Sequence, residues 1–136
     1  MNQIDASTEE FLKGHRLGVF ATGKRDGSPQ QALISYNYDG TDIVIPTGWE
    51  SAKIKNLRRQ PNASLSITDG PKVVVVYGPT TIIRGDEADS IRAARLQPPR
   101  PAGDAPARPA TERARAGERV VVRLTPDRVI ANRLES

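Results

Sequence analysis

The residues best placed to do chemistry are Thr47, Gly48, Ser51 and Lys53, which share seven positions of the run Thr47-Gly-Trp-Glu-Ser-Ala-Lys53. They follow a strand-like stretch and open what reads as a short helix, with Ser51 as the N-cap and Pro61 as the stop. The first backbone amides of a helix lack partners inside it and carry the positive end of its dipole, so they favour an anion. Two hydroxyls, a glycine that permits close backbone approach and one lysine complete the donor set of a phosphate seat. Taken alone, the same spacing also fits a surface helix with solvated Lys53, Lys55, Arg58 and Arg59, packed through Ile54 and Leu57.

Other chemistries find little support. The chain has no cysteine, and a single His15 cannot build a histidine metal cluster. Because His15 follows Gly14 at the end of a short helix, a dipole or packing role explains it better than catalysis. Asp26, Asp39 and Asp69 each sit beside a glycine in a turn, which accounts for them without chemistry. No dinucleotide or Walker glycine motif is present. A cofactor enzyme remains, in which the bound molecule carries the reaction and the protein supplies position and shelter.

The elements that must hold these residues are mostly strands. Ser7 to Glu10 fits a capping box for a first helix that Gly14 ends. Residues 17–23 read as a strand with Leu17, Val19 and Ala21 on one face. Residues 30–38 read as a second, alternating Ala32, Ile34, Tyr36 and Tyr38 against Gln31, Leu33, Ser35 and Asn37. Asp26-Gly27 and Asp39-Gly40 mark the turns on either side. Residues 42–46 form a third strand, and 63–68 a half-buried one after the helix. The valine run at 72–77 suggests a fully buried strand, with Gly78-Pro79 as a bulge or bend before 80–84. Residues 86–96 suit a helix, and 119–124 and 128–131 the last strands. Six or seven short strands with closely spaced turns predict a mainly β fold, an antiparallel Greek-key barrel with short flanking helices.

The whole of residues 1–136 reads as a single domain with a modest core, since 37% is hydrophobic and 4% aromatic. Residues 92–119 hold seven arginines against three acids, which accounts for the entire net charge of +4. Any attraction for a polyanion is therefore confined to that segment. Within it, residues 97–117 carry five prolines, many alanines and no bulky apolar residue, which predicts a flexible loop. The loop has no aromatic to stack a base, which argues against nucleic acid. The longest apolar run, 73–77, is far short of a membrane span, and the first residues have no basic and apolar leader. A cytoplasmic protein is expected.

In the order of its motifs the chain resembles the pyridoxamine 5′-phosphate oxidase-like split β-barrels. Thr47 to Lys53 is similar to the Thr-Asn-x-x-Ser-Arg-Lys segment that grips a flavin phosphate in that family. The longer run Ser51-Ala-Lys-Ile-Lys-Asn-Leu-Arg-Arg-Gln-Pro61 resembles the actinobacterial branch that uses the deazaflavin coenzyme F420. The resemblance implies a split β-barrel oxidoreductase that passes hydride between reduced deazaflavin and a small unsaturated substrate. It implies that Gln31, Ala32 and Leu33 of the second strand lie along the ring. It further implies that Thr47, Gly48, Ser51 and Lys53 hold the phosphate across a homodimer interface, with Ala52 also among the cofactor-binding residues and Trp49 over the ring or in the dimer seam.

Departures from the pattern bear on the cofactor. Gln31, Tyr36 and Ala52 stand where the oxidases carry Arg, Lys and Arg. Fewer cations suit the singly charged phosphodiester of coenzyme F420 better than the phosphate monoester of FMN, and Lys55, Arg58 and Arg59 suit its oligoglutamate tail. The alternatives are an FMN-dependent oxidoreductase and a non-catalytic flavin- or F420-binding protein.

Overall fold

A computed structural model describes residues 4–94 and 118–134. The expected loop at 97–117 lies outside the described residues. Helix α1 (Ala6–Lys13) leads into β1 (Leu17–Gly23), β2 (Pro29–Ser35), β3 (Asn37–Tyr38) and β4 (Ile43–Gly48). Helix α2 (Ala52–Arg59) follows, then β5 (Asn62–Asp69), β6 (Lys72–Ile83), helix α3 (Gly85–Ala93), β7 (Arg119–Leu124) and β8 (Arg128–Asn132). No described helix is long and apolar enough to cross a membrane.

All strand pairings are antiparallel, in the order β2-β1-β5-β6-β7-β4-β3, with β8 paired to β6. The expected mainly β barrel with short flanking helices is what forms, with eight strands among the described residues rather than six or seven. The extra one arises because the second strand breaks at Tyr36. There the chain leaves β2, at one end of the sheet, and enters β3, at the other. Tyr36 is fully buried at that seam, its amide donating to the Arg16 carbonyl at 2.9 Å and its hydroxyl to the Leu12 carbonyl at 2.8 Å. The curled sheet encloses Phe20, Ile43, Ile45, Leu65, Ile67, Val74, Val76, Val122 and Leu124, with Ile54 and Leu57 of α2 closing the core.

Strand β6 alternates rather than being buried throughout: Val74 and Val76 are sealed while Tyr77 is 38% exposed. A valine run signals burial on both faces only when both faces are covered, and one face of β6 is left open. Nor does the strand end at Gly78-Pro79. It continues, exchanging its partners β5 and β8 for β7. A Cβ at Gly78 would stand 1.9 Å from the Thr125 carbonyl oxygen, so only glycine admits the β7–β8 turn here.

One local expectation changes, and another gains a direction. Helix α1 is capped by Asp5, whose carboxylate accepts the Thr8 amide at 2.9 Å, and not by Ser7. A charged acceptor binds the amide more strongly than a hydroxyl and also meets the helix dipole. In β1, Leu17, Val19 and Ala21 do share a face, but it is the outer one; Phe20 and Thr22 point into the core.

His15 caps the end of α1 as a packing residue. It stacks on Phe11 with centroids 4.0 Å apart, and its ring nitrogens lie 2.7 Å from the Phe11 carbonyl and 3.0 Å from Asp69 Oδ2. Asp39 is engaged as a turn residue, its Oδ1 accepting the Thr41 and Asp42 amides at 2.9 and 2.7 Å.

Candidate functional site

Strand β4 delivers Thr47 to the barrel rim and ends at Gly48, opposite Arg119 of β7. The chain then turns within three residues, the Ser51 amide donating to the Gly48 carbonyl at 3.1 Å, and α2 begins at Ala52. This tight turn folds the helix start back over the strand end. As a result Lys53 Nζ donates to Thr47 Oγ1 at 3.2 Å, and Ser51 Oγ lies 3.4 Å from the same atom. Thr47 is buried, at 4% exposure, while Ser51 and Lys53 are half-buried and Ala52 is exposed.

Ser51 has the extended backbone of an N-cap, with φ −68° and ψ 154°, yet its side chain makes no capping hydrogen bond. The first turn of α2 also contains no acidic residue, and Arg58 and Arg59 lie in its last turn. Natural caps and acids usually neutralise a helix start. Here Ser51 gives the amides no side-chain acceptor, and the start adds an ammonium group beside two hydroxyls. Such a set of donors fits a phosphate oxygen cluster.

The ring-side residues divide. On β2, Gln31 and Leu33 face outward, opposite Ala21 and Val19 of β1, whereas Ala32 points the other way, opposite Phe20. The alternation of a strand imposes this split, so only Gln31 and Leu33 offer side chains to a common surface. Leu33 is 70% exposed and pairs with Val19 at 37%, with Leu17 at 55% on the same face of β1. Tyr36 lies in the core.

Trp49 lies in the turn between β4 and α2. Its amide donates to the Glu118 carbonyl at 2.7 Å, and its half-buried ring lies under two guanidinium groups. Arg84 Cζ stands 3.7 Å from the ring centroid and Arg58 Cζ 4.8 Å. Arg84 is in turn held by Glu118, with Nε 3.2 Å from Oε2, and this guanidinium keeps the Glu118 carboxyl below its ordinary range. Arg84 and Glu118 are 34 residues apart in sequence and carry no local signal of their meeting.

Asn56 belongs to the run that carries the family resemblance, but the sequence assigns it no role. It is 7% exposed, on the inner side of α2. Its Nδ2 donates to Thr22 Oγ1 at 3.0 Å and to Gln30 Oε1 at 2.7 Å, and its Oδ1 accepts from Arg59 Nη2 at 3.1 Å. The available signal is a poor helix former placed between the core residues Ile54 and Leu57.

Comparison with known proteins adds the following. The family model described as pyridoxamine 5′-phosphate oxidase matches residues 4–133. Among solved structures, an F420 reductase is 20% identical with a TM-score of 0.72, covering 93% of this chain and 98% of that one. A conserved hypothetical protein of Mycobacterium tuberculosis is 22% identical with a TM-score of 0.69, covering 98% and 88%. A pyridoxamine 5′-phosphate oxidase-related, FMN binding protein of Nostoc punctiforme is 19% identical with a TM-score of 0.61, covering 89% and 75%. At these identities the structural likeness concerns the fold.

Proposed function

The chain belongs to the pyridoxamine 5′-phosphate oxidase family, and from that premise we propose that it binds reduced coenzyme F420 and serves its hydride transfer to a small unsaturated organic substrate. The observation that carries the reading is the convergence of Thr47 Oγ1, Ser51 Oγ and Lys53 Nζ at an acid-free helix start. One ammonium with hydroxyl and amide donors matches the single charge of a phosphodiester. The exposed cations Lys55, Arg58 and Arg59 on the same helix suit an oligoglutamate tail.

When bound, the reduced deazaflavin would supply the hydride. The chain's own residues then bind and orient: the α2 start fixes the phosphate, and the outward face of β2, with Gln31 and Leu33, offers a surface for the ring. We further propose a homodimer in which a second copy covers that outward face. Leu17, Val19, Leu33 and Tyr77 leave it apolar and open, which a lone domain of this size rarely tolerates.

The second reading is FMN, favoured by the FMN binding relative. Titration of the purified protein with each cofactor, followed by absorbance and by mass spectrometry of whatever co-purifies, separates the two. Tighter binding of coenzyme F420 is expected, and a preference for FMN would replace it in the proposal. Turnover of the reduced deazaflavin with unsaturated acceptors separates an enzyme from a non-catalytic carrier. Binding of neither cofactor would overturn the proposal.

A further inference from the structure

We infer that Asn56 is a positioning residue, which sets the distance between the anion seat at the start of α2 and the ring surface on β2. The inference rests on the cofactor reading above but assigns a role to a residue outside the seat. Asn56 follows Lys53 by three positions, so the two lie on neighbouring turns of one helix side. Its partners belong to the opposite part of the site. Gln30 Oε1, 2.7 Å from Asn56 Nδ2, is carried by β2 directly before Gln31. Thr22 Oγ1, at 3.0 Å, is carried by β1 at the position paired with Gln30.

Both amide hydrogens of Asn56 are therefore spent on the two strands that support the ring surface. Its oxygen is spent on Arg59, whose Nη2 also donates to the Gly23 carbonyl at 3.2 Å and so returns the connection to β1. Every hydrogen bond in this set runs between α2 and the β1–β2 hairpin or holds Arg59 in place to make one. The apolar contacts of Ile54 and Leu57 fix how deeply α2 sits but tolerate sliding along the sheet, because dispersion has little direction. Hydrogen bonds with two fixed partners do not tolerate it. A buried asparagine is also a costly way to fill a core position that leucine could take. Its value here is a fixed register between helix and hairpin.

A two-part ligand gains from such a register. When phosphate seat and ring surface are held at the span of the ligand, binding one end presents the other at high effective concentration. Loosening the register removes that gain without altering either end.

The test compares Asn56→Ala and Gln30→Ala with the natural protein, using three probes. These are the intact cofactor that the natural protein binds, its phosphate-free chromophore (riboflavin, or the deazaflavin nucleoside), and inorganic phosphate followed by thermal shift. Both variants should lose roughly tenfold or more in affinity for the intact cofactor while the two fragments bind within about twofold of normal. Gln30 is half-buried and outside the core, so its variant decides the matter even where Asn56→Ala fails to fold. Parallel loss of chromophore and intact cofactor would show general damage and overturn the assignment, as would unchanged binding of the intact cofactor. Failure of the natural protein to bind either cofactor would remove the functional reading as well, which distinguishes the two failures.

Discussion

Lys53 reaches back across the β4–α2 turn to Thr47, its Nζ donating to Thr47 Oγ1 at 3.2 Å. The pair holds a positive charge at the helix start, where an anion would meet it. Lys53→Ala should cost about 1.5–3 kcal/mol of cofactor binding, roughly tenfold to more than a hundredfold in affinity. Lys55, exposed and about 200° around the helix, should cost less than tenfold when changed to Ala, and its effect should fade first as salt rises. Titrations of both variants at low and high salt check this. Equal, salt-erased losses would mean a diffuse basic surface.

Tyr36 predicts an alkaline limit to stability. Burial pushes its phenol well above the ordinary value of 10.0. Its contribution is complete below pH 10 and is lost as pH rises through the folded value, because the unfolded chain ionises first. Tyr36→Phe should lower stability by about 1–2 kcal/mol at neutral pH, through the orphaned Leu12 carbonyl. Above pH 10 the variant should fall less steeply than the natural chain. Denaturant midpoints across pH 7 to about 11 report both effects.

Much of the barrel is legible in the sequence because its signals are local. The strand at 17–23, the turn glycines and the Pro61 helix stop depend on neighbours a few positions away. The break at Tyr36 is not legible, since alternation runs unbroken from Ala32 to Tyr38 and only closure of the sheet separates β2 from β3. Likewise, alternation puts Leu17, Val19 and Ala21 on one face without saying which face is covered. At the site, the spacing of Thr47, Ser51 and Lys53 sufficed to bring them together. The guanidinium groups over Trp49 were not foreseeable, because Arg84 and Glu118 meet only through the folded order β6-β7.

Gly78 should be intolerant of any side chain. Gly78→Ala would drive a Cβ into the Thr125 carbonyl and force apart the turn between β7 and β8. A loss of about 3 kcal/mol or more is expected, visible as a reduced melting temperature or as insoluble protein. Gly27→Ala, at φ +89° but with open space around it, should cost only about 1 kcal/mol.

Leu33 tests the proposed dimer. Sedimentation of the natural protein at micromolar concentration should show two copies, and Leu33→Asp should shift it to one while the isolated barrel stays folded, as Leu33 is outside the core. A natural protein that remains a monomer with cofactor bound would rule the interface out.

Strand β6 bonds to β5 and β8 along one part of its length and to β7 along the other. No fragment of the sheet can open on that side without taking β6 with it. The amides of Val74 and Val76, which sit at its sealed centre, therefore have no private route to solvent. Their deuterium uptake should follow unfolding of the whole molecule, so their exchange rates report its global stability directly, while the amides of β2 and β3 exchange through smaller openings at the seam.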